Sequence, residues 1–143
     1  MSIIRIFTTT FLLSIVVLMS GFLSLEKTTL KVEVTNFENK ASTKVLVSVF
    51  SQKGFLEKPI QEKSISASGN KVIVEFDLPV GEYAVFSSQD VNNNDKLDKN
   101  FIGKPKEPYG FSNNVNPFGS PSYKDCKFTL ANSAKIISIK LVN

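Results

Sequence analysis

The chain contains no histidine, no tryptophan, one cysteine and one arginine. The absence of histidine removes the commonest zinc ligand and the commonest general base. The single cysteine, Cys126, cannot form a disulfide within the chain, and the alternating apolar pattern around it predicts a buried strand residue rather than a reactive thiol. Because Arg5 is the only arginine, the rest of the chain has no guanidinium group for phosphates or guanine bases, and we expect no nucleic acid partner.

The first 24 residues are typical of a secretory signal peptide. Arg5 supplies the positive charge, residues 11–19 form the apolar run, and the first acidic residue is Glu26. The candidate cleavage positions are preceded by large side chains, so an uncleaved N-terminal anchor helix is the alternative. We therefore expect an exported, periplasmic or secreted protein with a single domain over residues 25–143, which meets a membrane only if the N-terminal segment is retained.

Alternating apolar and polar residues predict an all-β fold with no long helix. The period of two is clear over residues 28–35, whereas Val45–Phe50 is apolar on both faces and predicts a central strand covered on both sides. Residues 60–65 read as a weak edge strand. Together with segments 71–76, 83–88, 126–130 and 136–142, this gives about seven strands in an antiparallel β-sandwich, with an up-and-down barrel as the alternative.

Between Gln89 and Tyr123 the sequence shows neither strand nor helix periodicity. A connection of this length is usually functional or disordered. This one carries enough apolar residues to pack as an ordered loop, and its residues 98–114 are called the flap below.

The start of that connection has the spacing of a calcium-binding loop. Oxygen-bearing side chains occupy its positions one, three, five and nine, namely Asp90, Asn92, Asn94 and Asp98. Alternate side chains can turn their oxygens toward one hard cation, and the backbone carbonyl of Lys96 is a further candidate ligand. The sequence therefore predicts a Ca²⁺ site in residues 90–98, called the ion loop below.

The calcium prediction has a gap at position twelve of the loop. Phe101 stands where a helix-loop-helix site has a bidentate acid, so Glu107 or Asp95 would have to supply the missing carboxylate. The alternative is that the Asp and Asn side chains form Asx-turns with their own backbone and bind no ion.

The flap carries a second candidate site in Tyr109, Phe111, Asn113 and Asn114. Aromatic rings beside amide side chains suit the faces and hydroxyl groups of sugars. Alternatively, the two aromatic residues cover one end of the sandwich. No catalytic residue is predicted, although the carboxylates of Asp98 and Glu107 are of the kind that glycosidases use.

Three motifs resemble the bacterial family called domain of unknown function 2141. They are Leu78-Pro-x-Gly-x-Tyr-Ala84, the ion loop, and Gly103-x-Pro-x-Glu-x-Tyr-Gly-Phe-Ser-Asn113. The resemblance implies an exported single-domain protein with a prealbumin-like or carboxypeptidase-regulatory-like sandwich, and it implies no activity. Two positions depart from the family pattern: Gln89 replaces a frequent histidine, and Asp95 replaces the usual glycine at a turn that commonly needs positive φ.

These observations lead us to expect a non-catalytic binding or structural module of the bacterial envelope. Its partner would be an envelope protein or a glycan, and Ca²⁺ would hold the flap in place. A carbohydrate-active enzyme, or a carbohydrate-binding accessory domain using residues 98–114, is the alternative.

Overall fold

A computed structural model describes residues 26–38, 42–115 and 121–142 of the chain. The predicted signal peptide, residues 1–24, lies outside the described residues. The strands are β1 (Lys27–Thr35), β2 (Lys44–Phe50), β3 (Gln61–Ser66), β4 (Lys71–Pro79), β5 (Gly81–Asp90), β6 (Tyr109–Phe111), β7 (Phe128–Leu130) and β8 (Lys135–Lys140). Two 3₁₀ turns (Gln52–Gly54 and Ser112–Asn114) and one helical turn, α1 (Tyr123–Cys126), complete the described elements.

The strands form two sheets, which confirms the predicted all-β sandwich. The three-stranded sheet has the order β4-β1-β8, and the five-stranded sheet has the order β3-β2-β5-β6 with β7 paired to the start of β5. All pairings are antiparallel except that of β1 with β8, which is parallel. The extra strand relative to the expected seven is β6, a three-residue segment too short to show a periodicity.

The core lies between the inward faces of the two sheets. On β4 every second residue is buried, so that Val72, Val74, Phe76 and Leu78 enter the core while their neighbours face solvent. Phe76 is fully buried there. The alternation of apolar and polar residues in β1 and β4 therefore reflects a pleated sheet with one face buried in the core.

The corner between β4 and β5 is held by Tyr83. Its hydroxyl donates a hydrogen bond to the carbonyl of Pro79 at 2.8 Å, while its ring is buried, an arrangement typical of a tyrosine after such a corner. Gly81 does not have a positive φ. Its role is spatial, since a Cβ at Gly81 would lie 3.3 Å from the Tyr83 hydroxyl oxygen.

Cys126 is fully buried as predicted, but it is not in a strand. It ends α1, a single helical turn whose start is capped by the Ser122 hydroxyl accepting from the Asp125 amide. Burial, with a smaller contribution from the Asp125 charge, raises the pKa of the Cys126 thiol to about 11. Across the described part of the chain, no helix has the length and apolar character needed to traverse a bilayer.

The outer face of the five-stranded sheet carries a second apolar cluster, separate from the core. Ala84, Phe111 and Cys126 are buried in it, and five partly buried side chains pack around them: Phe55, Phe86, Tyr109, Val115 and Tyr123. This sheet therefore has two covered faces, which confirms the prediction made from the apolar run in β2. The long connection after β5 covers the outer one.

Candidate ion loop and binding groove

The ion loop begins where β5 ends, and Asp90 organises its first turn. Asp90 is buried, with 8% of the residue exposed, and its carboxylate accepts hydrogen bonds from the backbone N–H groups of Asn94 at 3.2 Å and Asp95 at 2.8 Å. Asn93 and Asp95 have φ of 57° and 56°, so the chain turns sharply at both. The positive φ expected at Asp95 is thus present without a glycine, which aspartate tolerates better than most residues.

The side chains of Asn92 and Asn94 converge on the carboxylate of Asp98. The Asn92 amide nitrogen donates to Asp98 Oδ2 at 2.6 Å, and the Asn94 amide nitrogen lies 3.2 Å from both Asp98 oxygens. Their amide oxygens face the other way: that of Asn92 accepts from the Asn94 N–H, and that of Asn94 accepts from the Lys96 N–H. Three predicted ligands, Asn92, Asn94 and Asp98, therefore lie close together. They are held by Asx-turns and by hydrogen bonds from the two amides to the Asp98 carboxylate.

Glu107 ties the two ends of the ion loop together. The residue is 6% exposed, and its carboxylate accepts from the Val91 N–H at 2.8 Å and from the Asp98 N–H at 3.1 Å. Burying an ionised carboxylate is costly unless hydrogen bonds compensate it, and here each oxygen has a backbone donor. The sequence named Glu107, with Asp95, as a candidate for the missing carboxylate of the metal site. In the structure Glu107 holds backbone N–H groups, and its role as a metal ligand stays a prediction.

The present hydrogen bonds of the ion loop direct amide nitrogen, and not amide oxygen, toward Asp98. A cation beside Asp98 would need the Asn92 and Asn94 amides to present oxygen where they now present nitrogen, which a rotation about the last side-chain bond achieves. The described residues contain no cluster of three or more carboxylate, imidazole or thiol groups arranged for a metal. The ion loop is ordered by its own hydrogen bonds, and Ca²⁺ binding stays a prediction.

One ion pair connects the ion loop to the neighbouring strand. The Lys44 ammonium group at the start of β2 lies 2.8 Å from Asp95 Oδ1. The hydrogen bond to Asp95 and its charge, with a smaller contribution from Asp90, raise the pKa of Lys44. Both partners are exposed, so this contact positions the loop more than it stabilises the fold.

Residues 98–106 form a narrow two-stranded turn, called the ribbon below. The Lys106 N–H donates to the Asp98 carbonyl and the Asn100 N–H donates to the Lys104 carbonyl, both at 2.8 Å. The Asn100 side-chain oxygen accepts from the N–H groups of Ile102 at 3.1 Å and Lys104 at 2.9 Å. Gly103 has φ 81°, a conformation that L side chains rarely adopt. The flap thus starts as an ordered projection.

A groove of approximately 710 Å³ lies between the ribbon and the outer face of the five-stranded sheet. Leu46, Ser48 and Phe50 of β2 and Phe86 of β5 contribute to it from the sheet, and Leu97 and Ile102 from the flap side. Charged side chains line it as well, namely Glu57, Glu62, Lys99 and Lys104. Its volume and mostly apolar lining are those of small-molecule sites.

The predicted ligand-binding residues separate into two groups. Tyr109 and Phe111 of β6 both line the groove, their ring centroids are 6.0 Å apart, and Phe111 lies 5.2 Å from Phe86. Asn113 and Asn114 instead hold backbone: the Asn113 amide donates to the carbonyls of Asp125 and Lys127, and that of Asn114 donates to Ser138. The structure therefore places the aromatic pair, and not the two amides, at the groove.

Sequence reasoning missed the floor of the groove. Leu46, Ser48 and Phe86 face away from the sandwich core, and Ser48 donates to the Glu62 carboxylate at 2.6 Å. The available signal was β2 itself, because a strand that is apolar on both faces needs a second cover. What the sequence could not give was the identity of that cover.

A family model matches residues 32–138 of the chain, and the family is described as uncharacterized protein conserved in bacteria, DUF2141. The chain belongs to the DUF2141 family. The match runs from β1 to β8 and contains the ion loop, the ribbon and β6, which confirms the resemblance carried by the three sequence motifs. No curated protein and no solved structure gives a significant match.

Proposed function

We propose that this DUF2141 protein is an exported, non-catalytic binding module of the bacterial envelope, and that its ligand occupies the groove beneath the ribbon. The groove is the observation that carries the proposal. A sheet that only had to fold would need one apolar face, whereas this one has an apolar cluster on each side and a concave space beside the outer one.

The lining indicates a ligand with an apolar body. Aromatic rings and aliphatic side chains form most of the wall, so an apolar ligand would replace water against them. The Glu62 carboxylate and the ammonium groups of Lys99 and Lys104 stand at the same groove and would orient a polar end. The amides of Asn113 and Asn114 are already bonded to backbone, which favours an apolar ligand over a sugar.

A binding role is also supported by the hydrogen bonds that the carboxylates of Glu107 and Asp98 already accept. Both oxygens of Glu107 accept backbone N–H groups, and the Asp98 carboxylate accepts two side-chain amides. Carboxylates engaged in this way hold the shape of the loop and flap. The expectation of export rests on the apolar N-terminal pattern of residues 1–24.

The ion loop would serve this module as a support for the groove. It joins β5 to the ribbon, and Glu107 closes it just before β6, so both walls of the groove are attached to it. Ca²⁺ would supply a further link among oxygen-bearing side chains that already converge there. In this role the ion is structural and does not touch the ligand.

The groove is tested with an apolar fluorescent probe, N-phenyl-1-naphthylamine, which brightens when it leaves water. Leu46→Gln places an amide in the groove, and we expect it to weaken probe binding about tenfold. Ile136→Gln is the matched control, since Ile136 is 69% exposed on β8 of the other sheet. Equal probe binding by the two variants would contradict the groove as the site.

The same titration separates the two ligand classes. An apolar groove predicts that fatty acids displace the probe and that neutral oligosaccharides do not. Displacement by oligosaccharides, lost on Tyr109→Ala, would instead support the carbohydrate-binding alternative. Melting curves of every variant show whether a loss of binding reflects the groove or the fold.

A further inference from the structure

The tip of the ribbon exposes two adjacent apolar side chains. Phe101 is 100% exposed and Ile102 is 70% exposed, whereas the exposed large apolar residues elsewhere in the described chain range from 38% to 69%. Isolated exposed apolar residues are ordinary on protein surfaces. A neighbouring aromatic and aliphatic pair at the end of a turn is less usual: Phe101 is fully exposed, and Ile102 is mostly exposed although it also lines the groove.

This exposure is built into the turn. The Asn100 side chain and the Asn100–Gly103 and Asn100–Lys104 backbone bonds fix residues 101–103 at the end of the ribbon. The base of the ribbon is fixed in turn by Glu107 through the Asp98 N–H. A hydrogen-bonded turn held at both ends presents Phe101 and Ile102 outward in a defined geometry.

Lys99 and Lys104 flank the tip of the ribbon, while Lys106 lies at its base and Lys96 lies in the ion loop. Lys96, Lys99, Lys104 and Lys106 are all exposed, and none forms an ion pair with any residue that the structure describes. The nearby carboxylate of Asp98 is occupied by the amides of Asn92 and Asn94. The ribbon therefore combines an apolar end with unpaired positive charge along its sides.

We propose that the ribbon tip docks on an anionic lipid bilayer, with Phe101 and Ile102 entering the interface and the lysines lying among the headgroups. The shape argues for this partner, since a convex, narrow tip needs a surface that deforms around it. The charge argues for it as well, because lysines near an anionic membrane are attracted within about a Debye length. The tip shares Ile102, Lys99 and Lys104 with the lining of the groove, whereas Phe101 belongs to the tip alone.

The absence of tryptophan from the chain gives a direct experiment. Phe101→Trp puts the only indole at the tip of the full-length chain, and Ile136→Trp puts it at an exposed position of the other sheet. Each variant is mixed with phosphatidylcholine vesicles containing about one third phosphatidylglycerol, with and without brominated acyl chains. Because the signal comes from the indole alone, it is local to each site and separable from any membrane contact of residues 1–24.

We expect the emission of Phe101→Trp to shift to the blue and to be quenched by brominated lipid, while Ile136→Trp changes neither. Adding Lys99→Gln and Lys104→Gln should weaken the vesicle response about tenfold or more, and about 1 M salt should do the same. Probe binding in the groove is measured in parallel without lipid, so failure of one proposal is distinguishable from failure of the other.

Several results would overturn the docking proposal. They are an unchanged Phe101→Trp spectrum with vesicles, equal quenching of both variants, or an equal response to purely zwitterionic vesicles. A blue shift that depends on protein concentration without lipid would assign the tip to a second copy of the chain. A shift seen only when another protein is added would assign it to a protein partner.

Discussion

The two sheets of the sandwich differ in what their outer faces meet. On the three-stranded sheet the outer face is solvated and carries the ion pairs Lys31–Glu75 at 2.6 Å and Lys71–Glu33 at 3.0 Å. On the five-stranded sheet the outer face carries aromatic side chains and lies beneath the flap. A sandwich needs only its inner faces to fold, so the second covered face is where a function beyond folding is to be sought.

The largest expected effect distinguishes the core from the covered outer face. Phe76→Ala removes a fully buried ring between the sheets and should lower the free energy of unfolding by about 3–5 kcal/mol. Phe86→Ala removes a half-buried ring beside the groove and should cost about 1–2 kcal/mol. Urea unfolding of both variants measures the difference. If the two substitutions lower the free energy of unfolding equally, the outer face is a second core. The proposed difference between the core and the outer face would then be wrong.

The fold was largely predictable because its signals are local. The alternation in β1 and β4 and the corner at Pro79 to Tyr83 each follow from a few neighbouring residues, and all appear where the sequence indicated. The parallel pairing of β1 with β8 was not predictable in this way. It joins strands from opposite ends of the domain, and no local pattern records which strand edges meet.

The candidate site was predictable in part. The spacing of the ion loop indicated that Asn92, Asn94 and Asp98 lie close together, since alternate residues of a tight loop share one side. It did not reveal that the amides of Asn92 and Asn94 turn their nitrogens to Asp98, because that choice depends on which backbone N–H groups are free. For Cys126 as well, the sequence predicted part of the structure. Its burial followed from its apolar neighbours, but its helical turn depends on the cap by Ser122 and was not predicted.

A smaller effect is expected from the carboxylate that closes the ion loop. Glu107→Ala leaves the N–H groups of Val91 and Asp98 without their acceptor and should lower stability by about 1–3 kcal/mol. Hydrogen exchange should become faster at these two amides and in the ribbon, while amides of β1 and β4 keep their protection.

The matched control for Glu107 is Glu75→Ala on the solvated face. Glu75 is exposed and pairs only at the surface with Lys31, so its loss should change stability by less than about 0.5 kcal/mol. If exchange in the ribbon is as slow in Glu107→Ala as in the wild type, the flap is held by its packing on the sheet and not by this carboxylate.

The smallest expected effect concerns Ca²⁺, which should act on the flap side of the molecule only. We expect a dissociation constant of about 0.1 mM for Ca²⁺. At about 1 mM Ca²⁺, binding then adds roughly 1.4 kcal/mol to the free energy of unfolding. This raises Tm by several degrees relative to the protein in EDTA. Thermal unfolding with Mg²⁺ as the comparison measures whether the shift is specific. Asp90→Ala should abolish it, because Asp90 holds the turn that brings Asn92, Asn94 and Asp98 together.

Asp77→Ala is the control on the other sheet, where the carboxylate accepts from the Thr29 hydroxyl, and it should retain the full calcium shift. An unchanged Tm at about 10 mM Ca²⁺ would mean that the Asx-turns and Glu107 alone order the loop. That outcome would leave the contrast between the two faces intact, because the floor of the groove is formed by the paired strands β2, β5 and β6. Ca²⁺ would then have no part in holding the flap.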